Sequence, residues 1–177
     1  LDWLTLVRFL SLWNMPLATA AGLPLEAQIT GGIYLLEMES LVDLDGLPPL
    51  AQELTDGVHV NNCPSFAAMG AFDGVERVEY IIIEGAPSLV SLAGLESLVG
   101  TATYLVLRET AVSDLDALYG VTSVGGTLEI SENASLVDVS GLYNVTHVGG
   151  DLTVIDNPSL PAADAAMLEA EIGSNNV

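Results

Sequence analysis

Pairs of carboxylates two residues apart are the most suggestive chemical groups in this sequence. Asp43 and Asp45 form one such pair, Asp114 and Asp116 form another, and Asp138 stands in a similar context. Oxygen ligands of this kind suit Ca²⁺, which takes about six to eight of them. However, the pairs are short and no Asp-x-Asp-x-Asp-Gly loop is present. A solvated acidic edge is therefore the favoured interpretation, with a Ca²⁺ site as the alternative.

The other reactive side chains do not assemble a catalytic motif. One cysteine, Cys63, excludes an internal disulfide and any multi-cysteine zinc site. His59 and His147 have neither a cysteine partner nor the spacing of a zinc protease nearby. Arg108 should stack beside Glu132 and near Glu84 as a surface ion pair, one rung apart at ~4.8 Å. We expect no enzyme, no metal and no cofactor.

Charge restricts the choice of partners. Of the 177 residues, 24 are Asp or Glu and only 3 are basic, for a net charge of −21. Such a surface repels nucleic acid and anionic membranes, so both are rejected as direct partners. It also suits a salty or extracellular setting. Because half of the residues are hydrophobic, the chain can bury a sizeable core.

The elements that position these groups follow from an internal repeat. Apolar anchor residues recur at intervals of 23 to 25 residues, and further apolar residues follow three, six and nine positions later. The anchors are Leu17, Leu41, Phe66, Leu89, Val112, Leu136 and Leu160. A period of this length predicts a solenoid, in which each unit buries its apolar stripe only against its neighbours.

Each repeat should contain one short strand whose alternate residues point inward. Counting back eight and six residues from each anchor gives the predicted inward pairs. These pairs are Ile33/Leu35, Val58/Val60, Ile81/Ile83, Tyr104/Val106, Leu128/Ile130 and Leu152/Val154. The prediction is therefore a strand-dominated α/β-type repeat protein. It is a right-handed, single-domain solenoid over residues 1–177, of about seven rungs with one parallel sheet face.

The two ends depart from the repeat. Residues 1–32 form a divergent rung or cap, whose inward pair is either Leu10/Leu12 or Phe9/Ser11, and Leu1, Leu4 and Val7 resemble the tail of an earlier rung. The apolar N-terminal run has a membrane segment as its alternative interpretation, but polar residues interrupt it too often. Regular rungs cover 33–160. A capping helix is predicted over 161–173, with an apolar edge of Ala163, Met167 or Ala166, and Ala170, and a tail over 174–177.

The strand-and-turn phrases resemble those of leucine-rich repeats. They read Leu128-x-Ile130-x-x-Asn133, Leu152-x-Val154-x-x-Asn157 and Val58-x-Val60-x-x-Cys63. The end of each of these repeats is similar to the receptor L-domain type of repeat, and more similar to the secreted bacterial branch of that family than to its other branches. It reads Gly141-Leu-Tyr-Asn-Val-Thr-His-Val-Gly-Gly150, and the matching segment of the preceding repeat ends at Gly126. The resemblance covers about residues 9–172. Met38, Ala86 and Glu109 depart from it by replacing the turn Asn or Cys, whose buried amide should satisfy backbone groups.

That resemblance implies an extracellular module for recognition or adhesion that is not an enzyme. The outward strand positions are then the candidate binding residues, because several are large and apolar where water favours polar residues. They are Tyr34, Leu36, His59, Asn61, Ile82, Glu84, Leu105, Leu107, Glu129, Ser131, Thr153 and Ile155. A protein or glycan on a surface, or further repeats of the chain, would cover them. The alternative is a structural cell-surface or cell-wall spacer with no specific ligand.

Overall fold

The computed structural model describes residues 6–21, 23 and 27–175, and strands dominate them. The strands are β1 (Leu6–Trp13), β2 (Gln28–Leu36), β3 (Glu53–Asn61), β4 (Arg77–Ala86), β5 (Gly100–Ala102), β6 (Tyr104–Thr110), β7 (Val121–Val124), β8 (Leu128–Ser131), β9 (His147–Val148) and β10 (Leu152–Ile155). One α-helix in the described chain, α1 (Ala162–Asn175), follows them. Short 3₁₀ turns lie at Gly70–Phe72, Asp116–Leu118 and Ser140–Leu142.

The strands form a solenoid. Seven of them build one parallel sheet in the order β1-β2-β3-β4-β6-β8-β10, and β5-β7-β9 form a second, three-stranded sheet. Each return of the chain adds one strand beside the previous one, so seven strands correspond to about six turns. The predicted strand-dominated solenoid with a parallel sheet and a short C-terminal helix is confirmed at this level.

The core runs through the middle of the coil. The strands contribute alternate inward residues, such as Ile33 and Leu35 in β2 and Ile81 and Ile83 in β4, all buried. The return arms contribute apolar residues at every third position, such as the buried residues from Leu89 to Leu98. Because every rung supplies both sets, the buried side chains form one continuous cluster along the solenoid.

The first strand settles the choice that the sequence left open. Leu10 and Leu12 point into the core, whereas Phe9 and Ser11 are exposed. The pairing of β1 with β2 shifts by one residue between Val7 and Phe9, which is where the N-terminal rung is one residue short. The predicted role of Leu1 and Leu4 lies outside the described residues, whereas Val7 lies in β1, pairs with Ile29 and packs partly buried against the core.

The last helix is longer than predicted and packs through a different face. It continues through Asn175, so neither Gly173 nor the predicted tail at 174 ends it. Leu168 and Ile172 are buried, whereas the predicted apolar edge of Ala163, Ala166, Met167 and Ala170 is exposed. The spacing of four residues between Leu168 and Ile172 places them on one helical face, and their larger side chains make that the face that packs.

Among the described residues, no helix is both long and apolar enough to span a bilayer.

Candidate recognition face

The outward residues of the large sheet form two columns, which we call the strand face. Strand register aligns the first column through Tyr34, His59, Ile82, Val106, Glu129 and Thr153. It aligns the second through Leu36, Asn61, Glu84, Arg108, Ser131 and Ile155. Ten of the twelve predicted contact positions therefore lie in these columns, but Ser131 is only 2% exposed and so offers almost no contact surface.

Leu105 and Leu107 do not belong to the strand face, and their predicted outward orientation is wrong. They are 1% and 2% exposed and pair with inward residues of the neighbouring strands. Their predicted inward neighbours are the outward ones: Tyr104 is 45% exposed and Val106 is half-buried. Because side chains alternate along a strand, an error of one residue exchanges the two faces.

A shortened turn causes this exchange. Ala86 of β4 pairs with Thr110 of β6, so the two strands are in register up to that point. The anchor then follows three residues after Ala86, at Leu89, but only two residues after Thr110, at Val112. Counting back from Val112 is therefore wrong by one residue throughout this strand.

The same shift corrects the turn position. Thr110, not Glu109, occupies the slot of Asn133: its amide and its hydroxyl both donate to Asn133 Oδ1, at 3.1 and 2.6 Å. The Asn133 amide nitrogen donates to the Leu107 carbonyl at 2.9 Å, and Asn157 Oδ1 accepts the Asn133 backbone N–H at 2.9 Å. The predicted structural role of the buried turn asparagine is confirmed.

Aromatic side chains cluster at the N-terminal half of the strand face. Phe9 and Tyr34 meet edge to face with ring centres 5.9 Å apart, and Tyr34 and His59 do so at 6.5 Å. The Arg8 guanidinium lies 5.0 Å from the centre of the Phe9 ring, a cation–π contact. These contacts hold a partly exposed group of aromatic side chains in place on the sheet.

Two tyrosine hydroxyls tie this cluster to a carboxylate. Tyr80 donates to the Tyr34 hydroxyl at 2.7 Å, and Tyr34 donates to Asp56 Oδ2 at 2.7 Å. Gly57 on β3 pairs with Tyr80, and a Cβ there would clash with the Tyr80 carbonyl oxygen and come 2.7 Å from Tyr80 Cδ2. The missing side chain at Gly57 therefore lets Tyr80 reach across β3.

Burial and these hydrogen bonds change the acidity of the phenols. Burial is the largest cause that raises the pKa of Tyr80, and its bonds to Tyr34 and the nearby Asp56 raise it further. Burial also raises the pKa of Tyr34, with the Asp56 carboxylate acting in the same direction. Both phenols therefore stay protonated as hydrogen-bond donors up to high pH.

Charged residues occupy the C-terminal half of the strand face. Arg108 lies 2.7 Å from Glu84 and 3.9 Å from Glu129, and the Ser131 hydroxyl donates to Glu129 at 2.7 Å. The predicted partner Glu132 is wrong, because Arg108 aligns with Ser131 once the shortened turn is counted. The neighbouring Glu84 was predicted correctly.

Sequence reasoning missed several large side chains beside the two columns. Phe9, Tyr80 and Tyr104 lie two residues before the first column on their strands, and Trp13 lies on β1 next to Leu36, where its indole N–H donates to Glu37 at 3.2 Å. These four side chains extend the strand face. The signal that could have found Phe9, Tyr80 and Tyr104 was the outward parity itself, extended two residues towards the start of each strand.

The paired carboxylates serve turns. Asp43, Asp114 and Asp138 each accept a backbone N–H two residues ahead, at 3.0, 3.4 and 2.7 Å. The bond from Ser140 lowers the pKa of Asp138. In the described part of the chain, no group of three or more His, Cys, Asp or Glu side chains is arranged to hold a metal ion.

Cys63 is a buried thiol in the turn slot. Its sulfur lies 3.4 Å from the carbonyl oxygens of Leu35 and Asn61, and burial raises the pKa of the thiol. A protonated, enclosed thiol is a poor nucleophile. Its contribution is therefore to packing and turn hydrogen bonding.

The chain was compared with protein-family models, with curated proteins and with solved structures, and none of them matches it.

Proposed function

We propose that this protein is a non-catalytic extracellular recognition or adhesion module that binds a protein or glycan through the strand face. The carrying observation is the row of large aromatic and aliphatic side chains that remain partly exposed there. Phe9, Trp13, Tyr104 and Ile155 are all exposed, and Tyr34 is half-buried. A sheet face that contacts only solvent would carry mainly small polar or charged side chains instead.

The rigidity of this surface supports a binding role. Backbone ladders on both sides hold each central strand, and the contacts among Phe9, Tyr34 and Tyr80 fix the rings. A binding partner therefore loses little affinity to the ordering of these side chains. Tyrosine also combines a broad apolar ring with a polar tip, a combination that is enriched at protein interfaces.

The proposal includes the family suggested by the sequence: a right-handed leucine-rich repeat of the receptor L-domain type, with about seven rungs. Its support is the repeated strand-and-turn phrase together with the asparagine hydrogen bonds at Asn133 and Asn157. The cell surface or extracellular medium is the proposed location.

The test compares substitutions on the strand face with a substitution outside it. Tyr104→Asp with Val106→Asp places two charges on the strand face. Tyr119→Asp, at a tyrosine that is 63% exposed but outside that face, is the matched control. Purified wild type and both variants are screened against glycan arrays and displayed surface proteins. We expect the double variant to lose a ligand that the control retains, while both keep the wild-type circular dichroism spectrum.

Equal binding by the double variant would reject the strand face as the site. The structural spacer is then the better function. The observation that favours it is the unbroken parallel sheet of seven strands under an acidic coat, which provides length and solubility without a ligand. A wild-type protein that binds nothing in the screen would support the same alternative.

A further inference from the structure

The last strand of the large sheet leaves one backbone edge unpaired among the described strands. β10 pairs only with β8, where Leu128 and Glu132 donate to the carbonyls of Asp151 and Ile155 at 2.9 and 3.3 Å. Peptide groups alternate in direction along a strand, so those of Val154 point the other way. An edge of this kind is a template for another extended backbone.

A groove runs along this edge. It has a volume of about 280 Å³ and lies between β10 and α1. Its strand wall runs from Val154 to Asn157, and its helix wall includes Ala165, Ala166 and Glu169. The helix is held in place by the buried Leu168 and Ile172, while alanines face the groove. The space in which a further strand could pair with β10 is therefore bounded on one side by a helix that is packed against the core.

The charge around the groove is of one sign. Asp156 and Glu169 line it, and no Lys or Arg follows Arg108 in the sequence. The acidic residues after Arg108 are Glu109, Asp114, Asp116, Glu129, Glu132, Asp138, Asp151, Asp156, Asp164, Glu169 and Glu171. This end of the solenoid therefore attracts a cationic occupant and repels an acidic one.

We propose that the groove binds an extended peptide segment rich in Lys or Arg, which adds to β10 as a further strand. Its backbone satisfies the outward peptide groups of Val154, and its basic side chains approach Asp156 and Glu169. Strand addition of this type takes its affinity from main-chain hydrogen bonds and its selectivity from side chains. This site shares Ile155 with the strand face, but its helix wall and its backbone edge lie outside that face, and it does not depend on the proposed function.

The experiment uses a defined probe. Acetyl-Val-Lys-Val-Lys-Val-Lys-amide is titrated into ¹⁵N-labelled protein, and its Kd is measured by calorimetry. We expect amide shifts in residues 152–157 and in the helix wall, with binding that weakens as salt is added. Replacing the lysines by glutamates, or methylating alternate peptide nitrogens, should abolish binding.

Three variants test the geometry. Val154→Pro removes the outward N–H without removing a ladder bond to β8, and Ala166→Phe fills the groove from the exposed side of α1. Ala163→Phe adds the same ring to an exposed helix position that does not line the groove. We expect Kd to rise by about tenfold or more for the first two, and to stay within about twofold for the control.

Several results would overturn the proposal. If the Ala166→Phe variant bound the probe as tightly as wild type, the groove would be excluded as the binding site. This result would be decisive even if the Val154→Pro variant failed to fold. Shifts confined to strand-face residues of β1 to β8 would place the peptide elsewhere, and equal binding of the glutamate peptide would remove the charge argument. Self-association of wild type through residues 152–157 without peptide would make a second copy the occupant.

Discussion

Replacing Leu107 by alanine tests which side of β6 faces the core. The side chain is 2% exposed and stands between Ile83 and Ile130 of the neighbouring strands. Truncating such a leucine costs about 2–5 kcal/mol, because the transfer energy is lost and a cavity is left. For a chain of this size, a cost of about 3 kcal/mol corresponds to a fall in Tm of about 6–12 °C.

Val106→Ala is the matched comparison on the same strand. Val106 is half-buried on the strand face, so its truncation should cost less than about 1 kcal/mol. Urea unfolding followed by circular dichroism measures both variants, with equal m-values as the check on two-state behaviour. A larger cost for Val106→Ala than for Leu107→Ala would mean that the outward and inward faces of β6 are reversed.

Three further predictions concern the turn position of Asn133, the residues with positive φ that precede this position in each rung, and the tyrosine phenols. Asn133→Ala should lower the free energy of unfolding by about 3 kcal/mol, since buried backbone groups lose their partner; a loss below about 1 kcal/mol in urea titration would contradict this. Gly85 and Glu109 stand immediately before the turn residues of their rungs and have positive φ of 66° and 54°. Gly85→Ala should therefore destabilise the protein by about 1 kcal/mol, and Glu109→Asn should stabilise it by up to about 1 kcal/mol, as measured by thermal unfolding. If both substitutions changed the stability in the same direction, backbone strain at these positions would be refuted. The folded-state pKa of Tyr80 lies above its ordinary value of 10.0, so its contribution to stability is present below pH 10 and lost above it. Tyr80→Phe should flatten the fall in stability between about pH 10 and pH 11, and an unchanged slope would count against the coupling.

The repeat itself was readable because its cause is local. A rung buries its apolar residues only if each stands at a fixed distance from its anchor, so the period of 23 to 25 residues is written directly in the sequence. The same holds for Asn133 and Asn157, which stand in the same slot of two successive rungs and satisfy backbone groups of the turn.

The orientation errors in β6 have one common origin. Periodicity tolerates a missing residue in a turn, since the rungs on either side still count correctly. Orientation does not tolerate it, because one residue turns a strand over. Leu105, Leu107 and the Arg108 pairing were all misplaced by the short turn before Val112, and only the pairing of Ala86 with Thr110 reveals it.

The sequence alone determined the solenoid, its parallel strands, its acidic surface and the buried role of its turn residues, because each follows from a pattern along the chain. The tertiary structure decided which side chains share a surface. Phe9, Tyr34 and Tyr80 lie on three strands far apart in sequence and meet on the sheet, and Tyr80 reaches Tyr34 across β3, where Gly57 has no side chain. The groove beside β10 likewise exists only through the packing of Leu168 and Ile172, which sets the distance between helix and strand.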